Sequence, residues 1–250
     1  MRVRHWLLLR GLTREARHWG AFPEVLGRKL DAQVTTLDLP GAGTENQRAA
    51  PTTIPATTDD LRDRFVAQRT GADAWGLIAV SMGGMVALDW CHRHGADFSR
   101  LVLINSSAGN VSPPHHRLRL SMVPSLVRTL RTEDRVLRER RVLEMTTNGV
   151  APIDATAEAW ARFAEERPLG RGVVYRQLYA ALRFRAPERI GVPLLVLASA
   201  QDRFTDPRCS HRIAARYGAP IELHPSAGHD LPLEDAAWIT ERIGGWLGGA

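Results

Sequence analysis

The sequence predicts an α/β fold: a doubly wound, mostly parallel sheet of about six strands, interrupted by an inserted helical cap. Two observations carry this reading. Short, almost continuously apolar runs alternate with longer amphipathic stretches along most of the chain, the pattern of parallel strands covered on both faces. One long segment, from about Val111 to Arg189, breaks that rhythm and holds only helical patterns.

The strand-like runs are 6–9, 34–37, 77–80, 101–104, 194–198 and 221–224, rich in Val, Ile and Leu. Between them, 14–30, 57–69, 82–94, 207–217 and 235–247 have the length and mixed faces of helices. Strand and helix in alternation argue for a doubly wound sheet. Inside the interruption, 118–130, 133–146, 155–166 and 173–184 read as helices, with Val174, Leu178 and Leu182 at helical spacing. Gly109, Pro113, Pro114, Pro187 and Gly191 punctuate its edges. The expected organisation is therefore a core of residues 1–110 and 190–250 with a cap of residues 111–189.

A chain of 250 residues is long enough to bury a sizeable core without disulfides or a structural metal. Cys91 and Cys209 read as free thiols, and no cysteine or histidine spacing suggests a metal site. The apolar run after Arg2 and Arg4 ends at Arg10, too short for a signal h-region. No stretch approaches a membrane span. These readings point to a cytoplasmic protein. The net charge of +6 is almost all arginine, Lys29 being the only lysine. It concentrates in residues 112–189, where fifteen arginines face nine acidic residues. Such an excess attracts anionic partners or simply solvates helix faces. No motif for nucleic-acid binding accompanies it.

The chemistry starts at residues 77–86, Leu-Ile-Ala-Val-Ser-Met-Gly-Gly-Met-Val. An apolar strand runs into Ser81, small residues follow, and a helix begins. This is the setting of a nucleophile elbow, in which a sharp turn lifts the serine hydroxyl above the sheet. The turn crowds the positions two before and two after the serine, here Ala79 and Gly83. Ala79 departs from the usual first glycine. The helix that follows points its N-terminus at the reacting centre, so the N–H of Met82 can donate to a developing oxyanion.

A base and an acid are then sought at later strand ends. His229 follows the last strand on a loop and can reach the top of the sheet. Its ordinary pKa suits a general base. Its rival, His224, still belongs to the strand. Asp202 is the first carboxylate after strand 194–198, placed to hold the imidazole tautomer and stabilise the imidazolium. Asp206 lies beside Pro207 and reads as the cap of the next helix. The earlier strand ends in Asn105-Ser106-Ser107, without a carboxylate.

The order Ser, Asp, His, together with several short motifs, resembles the α/β-hydrolase family. Leu8-Leu9-Arg10-Gly11-Leu12 is similar to its His-Gly loop, with arginine in place of histidine. Asp38-Leu39-Pro40-Gly41-Ala42-Gly43 is similar to its Asp-x-Pro-Gly-x-Gly loop, and reads as a turn. Ser81-Met82-Gly83-Gly84 resembles the elbow of bacterial esterases, and Ala227-Gly228-His229 the terminal Gly-His. The resemblance spans nearly the whole chain outside the cap. It implies a second oxyanion donor at the N–H of Leu12. It also implies a leading β-hairpin for which this chain has no room, leaving about six strands. Arg10 is expected to re-order local hydrogen bonds or to reach a carboxylate.

The resemblance implies a serine carboxylesterase that works through an acyl-enzyme on a small-molecule ester, with no metal or organic cofactor. Relatives with an aspartate nucleophile, the haloalkane dehalogenases and epoxide hydrolases, are disfavoured by Ser81. Two alternatives stand beside it. One is a lyase of the menaquinone-synthesis kind, or a thioesterase or carrier-ester esterase, using the arginine-rich cap for an anionic substrate such as an acyl carrier. The other is a non-catalytic ligand-binding member of the fold. The cap's Trp160, Phe163, Tyr175, Tyr179 and Phe184 are the aromatic side chains available to wall an acyl pocket.

Overall fold

A computed structural model describes residues 3–69, 74–150, 152–170 and 172–249. Its strands are β1 (His5–Leu9), β2 (Gln33–Leu37), β3 (Trp75–Val80), β4 (Arg100–Ile104), β5 (Leu194–Ser199) and β6 (Ile221–His224). They form one sheet in the order β2-β1-β3-β4-β5-β6, and every pairing is parallel. The register sets Leu9 beside Ala79, Ala79 beside Leu103, and Leu103 beside Val196. All six strands therefore end on one edge. The chain winds outward from β1 to β2, then returns to the other side of β1 as β3. That reversal is a topological switch point, where open α/β sheets form their ligand crevice.

Side chains on the strands alternate between two cores, as the period of two demands. Leu7, Leu9, Leu77, Ala79, Leu101, Leu103, Leu194 and Val196 face one way. Trp6, Leu8, Ile78, Val80, Val102, Ile104, Leu195 and Leu197 face the other. Gly76 belongs to this packing, since a Cβ there would lie 2.4 Å from the Trp6 ring.

Along the chain the helices are α1 (Phe22–Leu30), α2 (Ile54–Gln68), α3 (Met82–Arg93), α4 (Pro114–Arg117), α5 (Val123–Leu130), α6 (Arg135–Thr146), α7 (Ile153–Glu166), α8 (Val173–Arg183), α9 (Arg208–Tyr217), α10 (Leu231–Glu234) and α11 (Ala236–Gly248). Helices α2, α3 and α9 supply Leu61, Phe65, Trp90 and Ile213 to the first core. Helices α1 and α11 supply Phe22, Leu26, Ile239 and Ile243 to the second. Helices α4 to α8 are all inserted between β4 and β5. No described helix is long and apolar enough to cross a membrane.

Where helices differ from expectation, a local cause is visible. The helix expected over 14–30 is two pieces: a 3-10 turn at Ala16–Trp19, then α1. Gly20, at φ 55°, breaks them apart. Helix α2 begins three residues early because the Thr53 hydroxyl accepts from the Ala56 N–H and Pro55 occupies its first turn. The helix expected over 118–130 starts as a 3-10 turn at Leu120–Met122 and becomes α-helical only at Val123, with Pro124 in its first turn. Asp134 caps α6 by accepting from the Leu137 N–H at 2.7 Å.

Candidate active site

Ser81 follows β3 directly and precedes α3. Its φ is 54° and ψ −118°, a conformation that costs a non-glycine residue about 1–3 kcal/mol. Three features hold it. The Ser81 N–H donates to Ile104 O at 2.9 Å. The Ser106 hydroxyl donates to Ser81 O at 2.8 Å. Helix α3 lies against the end of β1 so closely that a Cβ on Gly83 would sit 2.5 Å from the carbonyl oxygens of both Leu9 and Arg10. Glycine at 83 is thus a packing requirement, as the elbow motif anticipates. Ala79, in place of the usual glycine, is fully buried within the strand. The loop after β1 is equally close, since a Cβ on Gly11 would lie 3.1 Å from Ser81 Cβ.

His229 and Asp202 come from different strand ends and meet. His229 Nδ1 and Asp202 Oδ2 are 2.7 Å apart, with side chains 8% and 1% exposed. The other carboxylate oxygen, Oδ1, accepts the N–H groups of Phe204 and Thr205, each at 2.8 Å. The carboxylate is thus held by its own loop and aimed at the ring. Burial pushes the His229 imidazole down, but the charge and hydrogen bond of Asp202 outweigh it. The net pKa is above the ordinary histidine value. The Phe204 ring lies against the imidazole with centroids 5.1 Å apart. An imidazole anchored at Nδ1 keeps Nε2 available to take a proton.

The rivals are used elsewhere. His224 Nδ1 accepts from the Ala227 N–H at 2.9 Å, and its Nε2 meets Asp235 at 3.2 Å. It shapes the loop that carries His229. Asp206 accepts from the Arg208 N–H at the start of α9 and pairs with the Arg208 guanidinium at 2.7 Å. That hydrogen bond and charge hold its carboxyl far below the usual range. Asp38 also serves the backbone, accepting from the N–H groups of Ala16 and Thr44.

Several positioning contacts were not legible in the sequence. Asn105, at φ 47°, donates to His229 O at 2.8 Å and to the Ser199 hydroxyl at 3.0 Å, and accepts from the Ser199 N–H. It clamps the end of β4 to the end of β5 and to the histidine loop. A polar residue that tolerates positive φ immediately after a strand was the available signal. Glu234 accepts from the N–H groups of Gly228, Asn148 and Gly149, while the Asp230 N–H donates to Thr146 O at 2.8 Å. The C-terminus of α6 is therefore tied to the histidine loop. Arg10 makes a two-pronged ion pair with Asp230, at 2.8 and 2.6 Å. The carboxylate expected to meet Arg10 is the neighbour of His229.

Ser81, Leu12 and His229 line one cavity of about 560 Å³. Met82 and Asp202, both buried, adjoin the lining residues Ser81 and His229 through the chain and through the 2.7 Å contact respectively. Among the described residues no hydrogen-bond acceptor in the protein takes the N–H of Leu12 or of Met82, whereas that of Thr13 is taken by Gln177 at 2.8 Å. The opposite wall comes from α5 to α8, chiefly Leu126, Leu130, Val142, Met145, Trp160 and Val174. Of the cap aromatics, only Trp160 reaches the cavity. Phe163 packs edge-on to His18, Phe184 is buried in the first core, and Tyr175 and Tyr179 face solvent.

The sequence profile of the Alpha/beta hydrolase family matches residues 6–242. Comparison with curated proteins finds no match. Solved structures share the fold at low identity. A hydrolase from Pseudomonas aeruginosa is 21% identical, with 98% of this chain and 90% of that chain covered and a TM-score of 0.76. The enol-lactonase from Burkholderia xenovorans is 20% identical, covering 98% and 91%, with a TM-score of 0.73. A lipase-esterase related protein from Clostridium acetobutylicum is 17% identical, covering 97% and 93%, with a TM-score of 0.74. The profile runs from β1 into the last helix over the sheet just described, and the chain belongs to the alpha/beta hydrolase family.

Proposed function

We propose that the protein is a serine hydrolase that cleaves carboxylic esters through an acyl-enzyme. Ser81 is the nucleophile, His229 the base, and Asp202 the acid that orients it. The observation that carries this reading is a serine held at φ 54° in the same cavity as an imidazole anchored at 2.7 Å to a buried carboxylate. In the reaction, the Ser81 hydroxyl attacks the ester carbonyl as its proton passes to His229 Nε2. The N–H groups of Leu12 and Met82 receive the oxyanion, and His229 returns the proton to the departing alcohol. Water then repeats the sequence on the acyl-enzyme. The Asp202 carboxylate stabilises the imidazolium. Helices α4 to α8 form a cap whose apolar side chains take the acyl group. The reading is tested with p-nitrophenyl esters. Ser81→Ala should lose at least about a thousandfold in kcat/KM with its fold intact. Retention of more than about a tenth of the activity contradicts the assignment.

One observation favours a second reading, a thioesterase, carrier-ester esterase or lyase acting on an anionic substrate. Arg135 and Arg138 both line the cavity. Among the described residues neither forms an ion pair, whereas Arg14, beside them, is paired with Glu139 at 2.7 Å. Glu133, on the same wall, reduces the net charge they present.

A further inference from the structure

The geometry points to the Arg10–Asp230 pair as the positioning device that joins the two halves of the active site and balances the charge beside His229. The inference rests on the triad reading above and deepens it.

Three contacts make Arg10 a joint. Its side chain grips Asp230 with both Nη atoms, at 2.8 and 2.6 Å, and both residues are about 95% buried, at 4% and 5% exposure. Its carbonyl oxygen abuts Gly83 at the head of α3. Its chain continues through Gly11 to Leu12, so the loop offering an oxyanion donor begins here. One residue thus touches the serine elbow, the oxyanion loop and the residue next to His229. The guanidinium also stacks over the Trp19 ring at 4.9 Å, which fixes its plane. A planar fork meeting a carboxylate in two parallel hydrogen bonds specifies orientation as well as contact. Lysine in place of Arg10 can supply the charge but not the fork.

The pair also has an electrostatic consequence. Asp230 alone would favour the imidazolium of His229, and Arg10 alone would disfavour it. The two act on the ring with opposite sign, and Asp202, in direct contact with Nδ1, is the nearer charge. The other charged groups on this cavity's walls are Arg14, Glu133, Arg135, Arg138 and Glu139, and Glu234 holds the Gly228 N–H on the histidine loop.

The test measures kcat/KM and kcat against pH for an uncharged ester in four full-length variants. Arg10→Met leaves Asp230 unbalanced, so the acid limb should move to higher pH by about half to one unit. Asp230→Asn leaves Arg10 unbalanced, so the limb should move to lower pH by a similar amount. The double variant should return to within about 0.3 unit of wild type, as coupling between contacting groups requires. Arg10→Lys should keep the wild-type midpoint and lose at least about threefold in kcat through lost orientation. A pair that merely stabilises the fold would lower the melting temperature in all four and leave the midpoints together. That outcome overturns the inference, as does a shift of both single variants in the same direction. If Arg10→Met and Asp230→Asn do not fold, Arg10→Lys decides: a wild-type kcat overturns it, and a kcat loss at an unmoved midpoint supports it. Loss of activity in Ser81→Ala alongside unmoved midpoints in Arg10→Met and Asp230→Asn would sink this inference and leave the triad reading standing. Activity retained in Ser81→Ala would sink the triad reading itself.

Discussion

Ser81 is held in a backbone conformation that only glycine adopts freely, and its neighbours enforce it. Relief of that conformation is measurable. Ser81→Gly should raise stability by about 1 kcal/mol in chemical denaturation while abolishing ester hydrolysis. Ser81→Ala, which keeps a Cβ at the same φ, should melt close to wild type. Equal melting temperatures for the two variants would argue that the turn stores no strain. The carboxylates separate by role in the same way. Asp202→Asn removes the charge that anchors His229 and should cost up to about ten-thousandfold in kcat. Asp206→Asn weakens the start of α9 and the contact with Arg119, away from His229, and should cost roughly 1 kcal/mol of stability. The reverse order of rates would mean that the acid lies at position 206. The pH profile follows from His229. Its pKa is raised, against its burial, by the charge and hydrogen bond of Asp202, and only the neutral ring accepts a proton. The acid limb of kcat/KM should therefore fall above the ordinary value of about 6.5. By linkage, the stability this contact adds is complete below the unfolded value and is lost as pH rises through the folded one. A midpoint below 6 would show that Asp202 does not govern the base.

Helices and strands answer to local chemistry, and their glycines show where packing takes over. Gly83 sits where a Cβ would meet two carbonyl oxygens at 2.5 Å, while Gly245, in α11, has nothing within 4 Å of its Cβ position. Gly83→Ala should destabilise by at least about 2 kcal/mol, by overpacking the elbow. Gly245→Ala should stabilise by up to about 1 kcal/mol, from helix propensity alone. Matching changes in melting temperature would contradict the close approach at Gly83. The same contrast explains what could be read in advance. The buried strands β3, β4 and β5 read to within a residue or two because each is a continuous apolar run bounded by turn residues. The helix expected over 14–30 hid a break, because a single glycine in an amphipathic stretch does not announce whether it will turn positive in φ, as Gly20 does.

At the scale of the whole molecule, the residues that gather at the candidate site were legible because Ser81, Asp202 and His229 each follow a recognisable strand, in the order the proposed chemistry requires. Their supports were not. Arg10 and Asp230 are 220 positions apart, Asn105 and His229 are 124 apart, and no periodicity in a single sequence links such pairs. Nor could the arginine-rich insertion be sorted into roles by spacing. Arg117 donates to the carbonyls of Ala181 and Leu182 and Arg119 meets Asp206 at 3.7 Å, while Arg135 and Arg138 reach the cavity. If those two recognise an anionic substrate, kcat/KM for an acyl-CoA should exceed that for a neutral thioester of the same acyl group at low salt, and the excess should shrink as screening sets in near a Debye length of about 10 Å at 0.1 M. Equal salt dependence for the two substrates would assign the arginines to the solvated surface. The central claim, that Ser81 is an activated nucleophile in this cavity, is met most directly by covalent labelling with a fluorophosphonate followed by peptide mapping. One adduct is expected, on the peptide carrying Ser81, absent in Ser81→Ala and slowed at least about a hundredfold in His229→Ala. An adduct on any other residue, or ester hydrolysis by protein that Ser81 labelling leaves fully active, would contradict it.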